Sequence, residues 1–459
     1  MSTIDESRPA YRHHGPDKRM GLLQSIRQMQ DNVLNIYPPY IFDKDWSVRR
    51  FGFQTFIIIN RPDLIKEMLV DKTDIYSKGR LNRVILGRAL GEGLLTSEGD
   101  FWKRQRRIAA PAFHFRKLQA LTDVMVDCAE EAADRLDANA DTGRHIDIAH
   151  EMMRLTMEIV ARSLFSSDVK EDADVLGEAV TILIENLGKM SVVDMIGLPE
   201  WLPRPSDPRV KEAMKTLERM IYGIIEQRRL EGEGAREDLL QMLLDARDPE
   251  TGEGMSDKQL RDEVLTLFAA GHETTAQALT WLFYLLSGNP DIEERFHAEL
   301  DEVLGGRRPQ FEDMRTLEYG RMIFDETLRL FPPAFSVSRT AEKDDRLCGD
   351  LHVPKGAIVS AAPYITHRNP KIWPNPELFD PERFADHEVH ARHKHAYFPF
   401  GAGQRICIGS GFAQTEARMA MAVLGQRFRF RLKEGHPVQP QGRVTLRPRF
   451  GMKMSVERR

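Results

Sequence analysis

The chain has 459 residues, 41% of them hydrophobic and 29% charged, with a formal net charge of −5. That composition belongs to an ordinary globular protein with material for a large core, and the acidic balance excludes general nucleic-acid binding. Three cysteines, Cys128, Cys348 and Cys407, lie far apart, so no disulfide framework is expected and a reducing compartment fits.

Residues 1–20 read as a polar N-terminal tail, with no apolar signal region and no twenty-residue apolar run. The expectation is a soluble, cytoplasmic protein without a membrane anchor or fused reductase, with residues 21–459 forming a single domain. Tyr37-Pro38-Pro39 punctuates the start, and alternating apolar residues from Arg50 to Ile59 predict an early strand pair. From Pro62 to Asp301 the periodicity is mostly helical. Gly197 to Pro205 splits two helices, and Glu231-Gly232-Glu233-Gly234 reads as an exposed loop. After Pro332, prolines and short strand-like runs dominate until a last helix from about Ser410 to Phe428. The predicted fold is mainly α with a smaller β-rich part, and no internal repeat is visible.

One helix stands out. Ser256-Asp257-Lys258-Gln259 is a capping-box start and Gly288-Asn289-Pro290 a stop. Roughly 31 residues lie between them, about 46 Å at the α-helical rise, and apolar flanks send this helix through the core. Its centre, Leu267 to Thr275, breaks local rules. Gly271 costs about 1 kcal/mol relative to alanine, and an acid beside two threonines adds a desolvation cost. Such a concentration points to function, although a solvated stripe or a packing kink would read the same way. His272 sits about 100° round the helix from its neighbours, off the axis of any site they form.

Cys407 lies in Phe400-Gly401-Ala402-Gly403-Gln404-Arg405-Ile406-Cys407-Ile408-Gly409. A lone cysteine in an apolar run is ordinarily a small core residue. Here the glycines imply a tight turn, and the helix starting after Ile408 together with Arg405 would favour the thiolate. With no second cysteine or histidine close by, the sulfur makes a poor zinc site and a good axial ligand for haem iron. Arg405 offers a charge to a haem propionate, and Phe400 can cover the sulfur side of the ring.

The decapeptide matches Phe-x-x-Gly-x-Arg-x-Cys-x-Gly and resembles the cytochrome P-450 family. Three further stretches resemble that family, in its order. Ala270-Gly271-His272-Glu273-Thr274-Thr275 is similar to the oxygen-activation motif. The resemblance implies a groove in the long helix where dioxygen binds opposite the sulfur, Thr274 hydrogen-bonding the oxygen and Glu273 passing protons inward. Glu326-Thr327-Leu328-Arg329 resembles the Glu-x-x-Arg motif, with Arg383 as third member of a buried network that fixes the cysteine loop. Trp102 and Arg106 resemble the Trp-x-x-x-Arg pair that holds a haem propionate, with Arg339 and Arg405 as further partners and Gly409 beside the ligand. Lys103, Arg104 and Arg107 would then face an acidic electron donor. His387, His390, His393 and His395 read as a solvated loop, although their spacing makes zinc conceivable.

The resemblance implies a monooxygenase that uses haem b, hydroxylates a small lipophilic substrate with O₂, and draws electrons from NAD(P)H through a ferredoxin or flavodoxin-type donor and its reductase. The expected pocket wall is Ala269, Ala270, Thr274, Ala334, Phe335, Ser336 and Val337, with the loop from Asn82 to Leu95. The helix motif and the stretch around Trp102 look more like fatty-acid and hydrocarbon hydroxylases than compact terpene-type enzymes. A haem-thiolate peroxygenase or isomerase would need no proton relay, and a haem-binding sensor would bind without turnover.

Overall fold

Helices carry most of the chain, and the described residues add four small sheets, the largest of five strands. The computed structural model describes residues 21–51, 54–79, 86–87, 90–166 and 208–459, with single positions at Tyr11, His13, Gly15, Val175, Gly177, Ala179, Ile182 and Leu183. Most of the polar tail and the predicted break at 197–205 lie outside them.

The predicted strand pair forms as Trp46–Phe51 and Gln54–Ile59, antiparallel, with Trp46 opposite Ile59. Alternation in the second strand buries Thr55, Ile57 and Ile59 and turns Gln54, Phe56 and Ile58 to the other face, as a period of two requires. Ile358–Ala361 adds in parallel to this strand, and Val337–Ala341 pairs antiparallel beyond it. Ile57, Ile59 and Val359 pack with Leu64 and Ile65 in a small core of their own.

The long helix runs from Asp257 to Gly288, 32 residues. Ser256 Oγ accepts from the Gln259 N–H at 3.3 Å and Gln259 Oε1 accepts from the Ser256 N–H at 2.8 Å, which completes the capping box. The helix is buried on almost every side, because it runs through the larger core. Trp281 stacks on Phe331 with ring centroids 4.1 Å apart and donates its indole N–H to the Leu446 carbonyl at 3.1 Å. A Cβ on Gly271 would lie 3.1 Å from Val160 Cγ2, so glycine here lets the Ile148–Phe165 helix pack close. Thr156 of that helix donates to the His272 carbonyl at 2.8 Å. The last helix, Ser410–Arg427, ends within a residue of its predicted stop.

Candidate active site

A cavity of about 1310 Å³ lies between the long helix, the cysteine loop and the five-stranded sheet. It collects Trp102, Arg106, Ala269, Ala270, Glu273, Thr274, Ala334, Phe335, Val337, Arg339, Phe400, Arg405, Cys407 and Gly409 around one space. Of the Asn82–Leu95 loop, Leu86, Leu90, Leu94 and Leu95 line it, while 81–85 and 88–89 lie outside the described residues. The sequence reading missed several walls, two of them far from any motif. Met29, Val33, Ile36 and Tyr37 come from the first segment, and Arg443, Val444 and Thr445 from the turn between strands Pro440–Gly442 and Leu446–Pro448.

The cysteine loop is built by backbone geometry. Gly401 and Gly403 take φ of 75° and 70°, a region that side chains with a Cβ enter at a cost. A Cβ on Gly403 would meet the Leu69 carbonyl oxygen at 2.1 Å. The Cys407 N–H returns to the Phe400 carbonyl at 2.9 Å, closing the loop and leaving the sulfur open to the cavity. Of the two groups expected to favour a thiolate, the N–H at the helix start acts on the sulfur, but the cation that does so is Arg106 and not Arg405. Burial pushes the Cys407 thiol up, against the Gly409 N–H and the charge of Arg106. Arg405 instead lies 3.9 Å over the Trp102 ring and donates to the Ser97 carbonyl at 2.8 Å. Desolvation outweighs the local dipoles, so a thiolate at this position calls for a metal cation.

The rim of the cavity carries excess positive charge. Arg106, Arg339 and Arg405 are joined by Lys78, a residue sequence reasoning passed over. Lys78 is pushed down to about 7 by burial and by Arg405, Arg339 and Arg106, with Glu98 opposing. Arg405 is lowered to about 10 by burial and then by Arg339. Glu98 is the carboxylate that bears on Lys78, Arg339 and Arg405. Three guanidiniums, with Lys78 beside them, facing Glu98 fit a ligand bearing two carboxylates, as the propionates of haem do. An apolar space, one cysteine thiol in its wall and this rim are the features haem requires.

On the long helix, Thr274 lines the cavity and its hydroxyl donates back to the Ala270 carbonyl at 2.8 Å. Thr275 does the same to Gly271 at 3.3 Å. The helix runs through this turn, and the small side chains of Ala269, Ala270 and Thr274 face the cavity there. Glu273 is 5% exposed, and its carboxyl accepts from Thr445 Oγ at 2.7 Å. Burial pushes it up, with Thr445 and Arg447 opposing. His272 points away, its Nδ1 2.8 Å from the Phe268 carbonyl. Glu416 of the last helix, unmarked in the sequence reading, is fully buried beside Thr275, and burial drives it well above the usual carboxylate range.

Glu326, Arg329 and Arg383 lie outside the cavity and form one network. Arg329 donates to both Glu326 oxygens at 2.6 and 2.7 Å, and both side chains are 0% exposed. Arg383 Nε stands 3.6 Å from Glu326. Arg329 also donates to the carbonyls of His367, Pro376 and Leu378. His367 links this network to the cysteine loop, because its Nε2 accepts from the Phe398 N–H at 3.0 Å. Burial and the neighbouring Arg329 and Arg368 hold His367 well below its ordinary range, which keeps that nitrogen an acceptor.

Geometry bears on two readings of surface residues. Arg104 and Arg107 are each tied to carboxylates of this chain. Both pair with the buried Asp248, Arg107 also with Glu250, and Arg104 with Glu253. Lys103 pairs with Asp100. Of the histidines, His387 and His390 sit in an exposed helical turn, Asp386–Ala391. Among the described residues, no group of histidine, cysteine and acid side chains is placed to hold a metal ion.

Fold and site together define a haem-dependent oxygenase. The chain belongs to the cytochrome P-450 family, whose model matches residues 26–454. It is 37% identical over 399 residues to cyclooctatin synthase of Streptomyces melanosporofaciens, covering 86% of this chain and 85% of that one. It is 35% identical to cyclooctat-9-en-7-ol 5-monooxygenase of the same organism, covering 83% and 82%. The crystal structure of the cytochrome P450DA haem domain superposes with a TM-score of 0.81 at 28% identity, covering 90% of each chain. The protein is a haem-thiolate monooxygenase that works with O₂ and redox partners. No described helix is long and apolar enough to cross a membrane.

Proposed function

We propose that this enzyme hydroxylates a lipophilic substrate held against the Ala269–Thr274 wall, where Cys407 would give its sulfur to the iron of haem b. The observation that carries the proposal is that the Cys407 sulfur and the Glu273–Thr274 pair open into the same apolar cavity from different walls. Bound haem supplies activation of O₂ and transfer of one oxygen atom. The chain supplies the rest. Trp102, Arg106, Arg339 and Arg405 would hold the propionates, joined by Lys78. Phe400 and Gly409 shape the space around the sulfur. Thr274 presents a hydroxyl to the cavity, and Glu273 stands behind it as proton carrier. Glu326, Arg329 and Arg383 fix the loop. Ala334, Phe335 and Val337 close the substrate side with apolar surface.

The electron donor in this reading is a ferredoxin or flavodoxin-type protein with its reductase. Arg116 and Lys117 are exposed at the start of the Phe115–Asp137 helix. Leu118 of that helix would meet a Cβ on Gly411 at 2.9 Å, close behind the cysteine loop. Two cations on that side suit an acidic partner. All three cysteines are unpaired, which fits a cytoplasmic location.

Titration of the ferric holoenzyme with lipophilic compounds, cyclooctat-9-en-7-ol and long-chain hydrocarbons included, should give a low- to high-spin Soret shift with the preferred class. That compound should then gain one oxygen atom only when NADPH, reductase and donor are all present. Equal product from hydrogen peroxide alone would favour a peroxygenase, and binding without product a sensor.

A further inference from the structure

The mechanism above leaves the Glu273–Thr445 contact unused. It is a short bond between two buried side chains from parts of the chain far apart in sequence, and both line the cavity. Thr445 belongs to the turn of a two-stranded hairpin. That hairpin is pinned at several points. The Gly442 N–H donates to Asn32 Oδ1 at 2.8 Å, Asn32 donates to the Pro440 carbonyl at 2.9 Å, and the Leu446 carbonyl accepts from Trp281 at 3.1 Å. The Arg443 N–H donates to the Thr445 carbonyl at 3.0 Å and tightens the turn. Thr445 is therefore held from both sides, and its hydroxyl has one carboxylate within reach.

We propose that Thr445 is a positioning residue for Glu273, which fixes the carboxyl at the hairpin edge of the cavity and keeps it competent to carry protons to the Thr274 side. The inference rests on the reading of Glu273 as proton carrier. A carboxyl on a helix has several rotamers, and without a donor it would turn wherever burial costs least. A hydroxyl donor selects one of them and favours the ionised form. The charge that bears on Glu273 from the same hairpin is Arg447, whose Nε donates to Gln441 Oε1 at 3.3 Å. From the last helix, Glu416 faces the adjacent Thr275. The hairpin turn also lines the substrate space through Arg443 and Val444, so substrate shape and the proton carrier meet on one short element.

The consequence concerns where reducing equivalents go. Productive turnover takes O₂, two electrons from NADPH and two protons; one oxygen atom enters the substrate and the other leaves as water. When proton delivery is misplaced, the same two electrons and two protons leave with both oxygen atoms as hydrogen peroxide. Thr445 would thus control the split between product and peroxide without touching the reacting atoms.

The test compares Thr445→Val, Thr445→Ser and Glu273→Gln holoenzymes, measuring product and peroxide per NADPH, the pH profile of kcat, and substrate affinity from the spin shift. The expected result for Thr445→Val is about a tenfold fall in the product-to-peroxide ratio, less than the roughly 10²-fold or more that an acid–base group itself supplies, because Glu273 is still present. The acidic limb of its profile should move to higher pH, because loss of the hydroxyl removes a donor to the ionised carboxyl, while affinity changes less than about threefold. Thr445→Ser should restore both. Unchanged ratio and profile in Thr445→Val, with Glu273→Gln impaired, would overturn the proposal alone. If Glu273→Gln is also unimpaired, the proton-carrier reading itself fails. A loss of affinity with the pH limb unmoved would make Thr445 a substrate contact only and overturn the proposal as well.

Discussion

Glu326→Ala is expected to destabilise the fold by about 3–5 kcal/mol, the cost of leaving a buried guanidinium without its carboxylate. The Arg329 side chain has no access to water and spends two of its donors on Glu326. The Asp380 N–H donates to the same carboxylate at 2.9 Å. Removing it leaves Arg329 with three backbone carbonyls and no counter-charge. The damage should reach the sulfur, because Arg329 holds the His367 carbonyl and His367 Nε2 holds the Phe398 N–H that leads into the cysteine loop. Chemical unfolding and haem content of the purified variant, measured together, check this. A variant with wild-type midpoint and full haem would show that the network is dispensable.

Glu273→Gln and Thr274→Val are expected to lower product formation by about 10²-fold each, the lower end of what a positioned acid–base group contributes. Peroxide should rise while NADPH oxidation persists. The structure predicts that both variants fold, since Thr274 donates only to the Ala270 carbonyl of its own helix and glutamine can still accept from Thr445. Haem spectrum and substrate affinity should stay near wild type, which separates lost proton delivery from lost binding. A product yield unchanged in both variants would remove these residues from the reaction.

The regular parts of this fold were legible because local rules agree with one another. The capping box at Ser256, the Gly288-Asn289-Pro290 stop and the alternation through Ile59 each formed as read. The candidate residues around Cys407 also gather in one cavity, because motifs on four separate elements carry them. Three things were hidden. Lys78 and Thr445 sit in segments with no local signal, and only tertiary packing brings them to the rim and to Glu273. The surroundings of Cys407 were partly hidden because sequence shows the helix start and Arg405 but not the approach of Arg106 or the depth of desolvation. The pairing of Arg104 and Arg107 was hidden because their acid partner, Asp248, lies about 140 residues away, beyond any local rule.

The central claim is that Cys407 gives its sulfur to haem iron, and the absorption spectrum of the reduced, CO-bound protein tests it most directly. A strongly red-shifted Soret band is predicted for the wild-type holoenzyme and its loss for Cys407→Ala, with Cys128→Ala and Cys348→Ala unaffected. A Cys407→Ala protein that kept the red-shifted band would contradict the assignment.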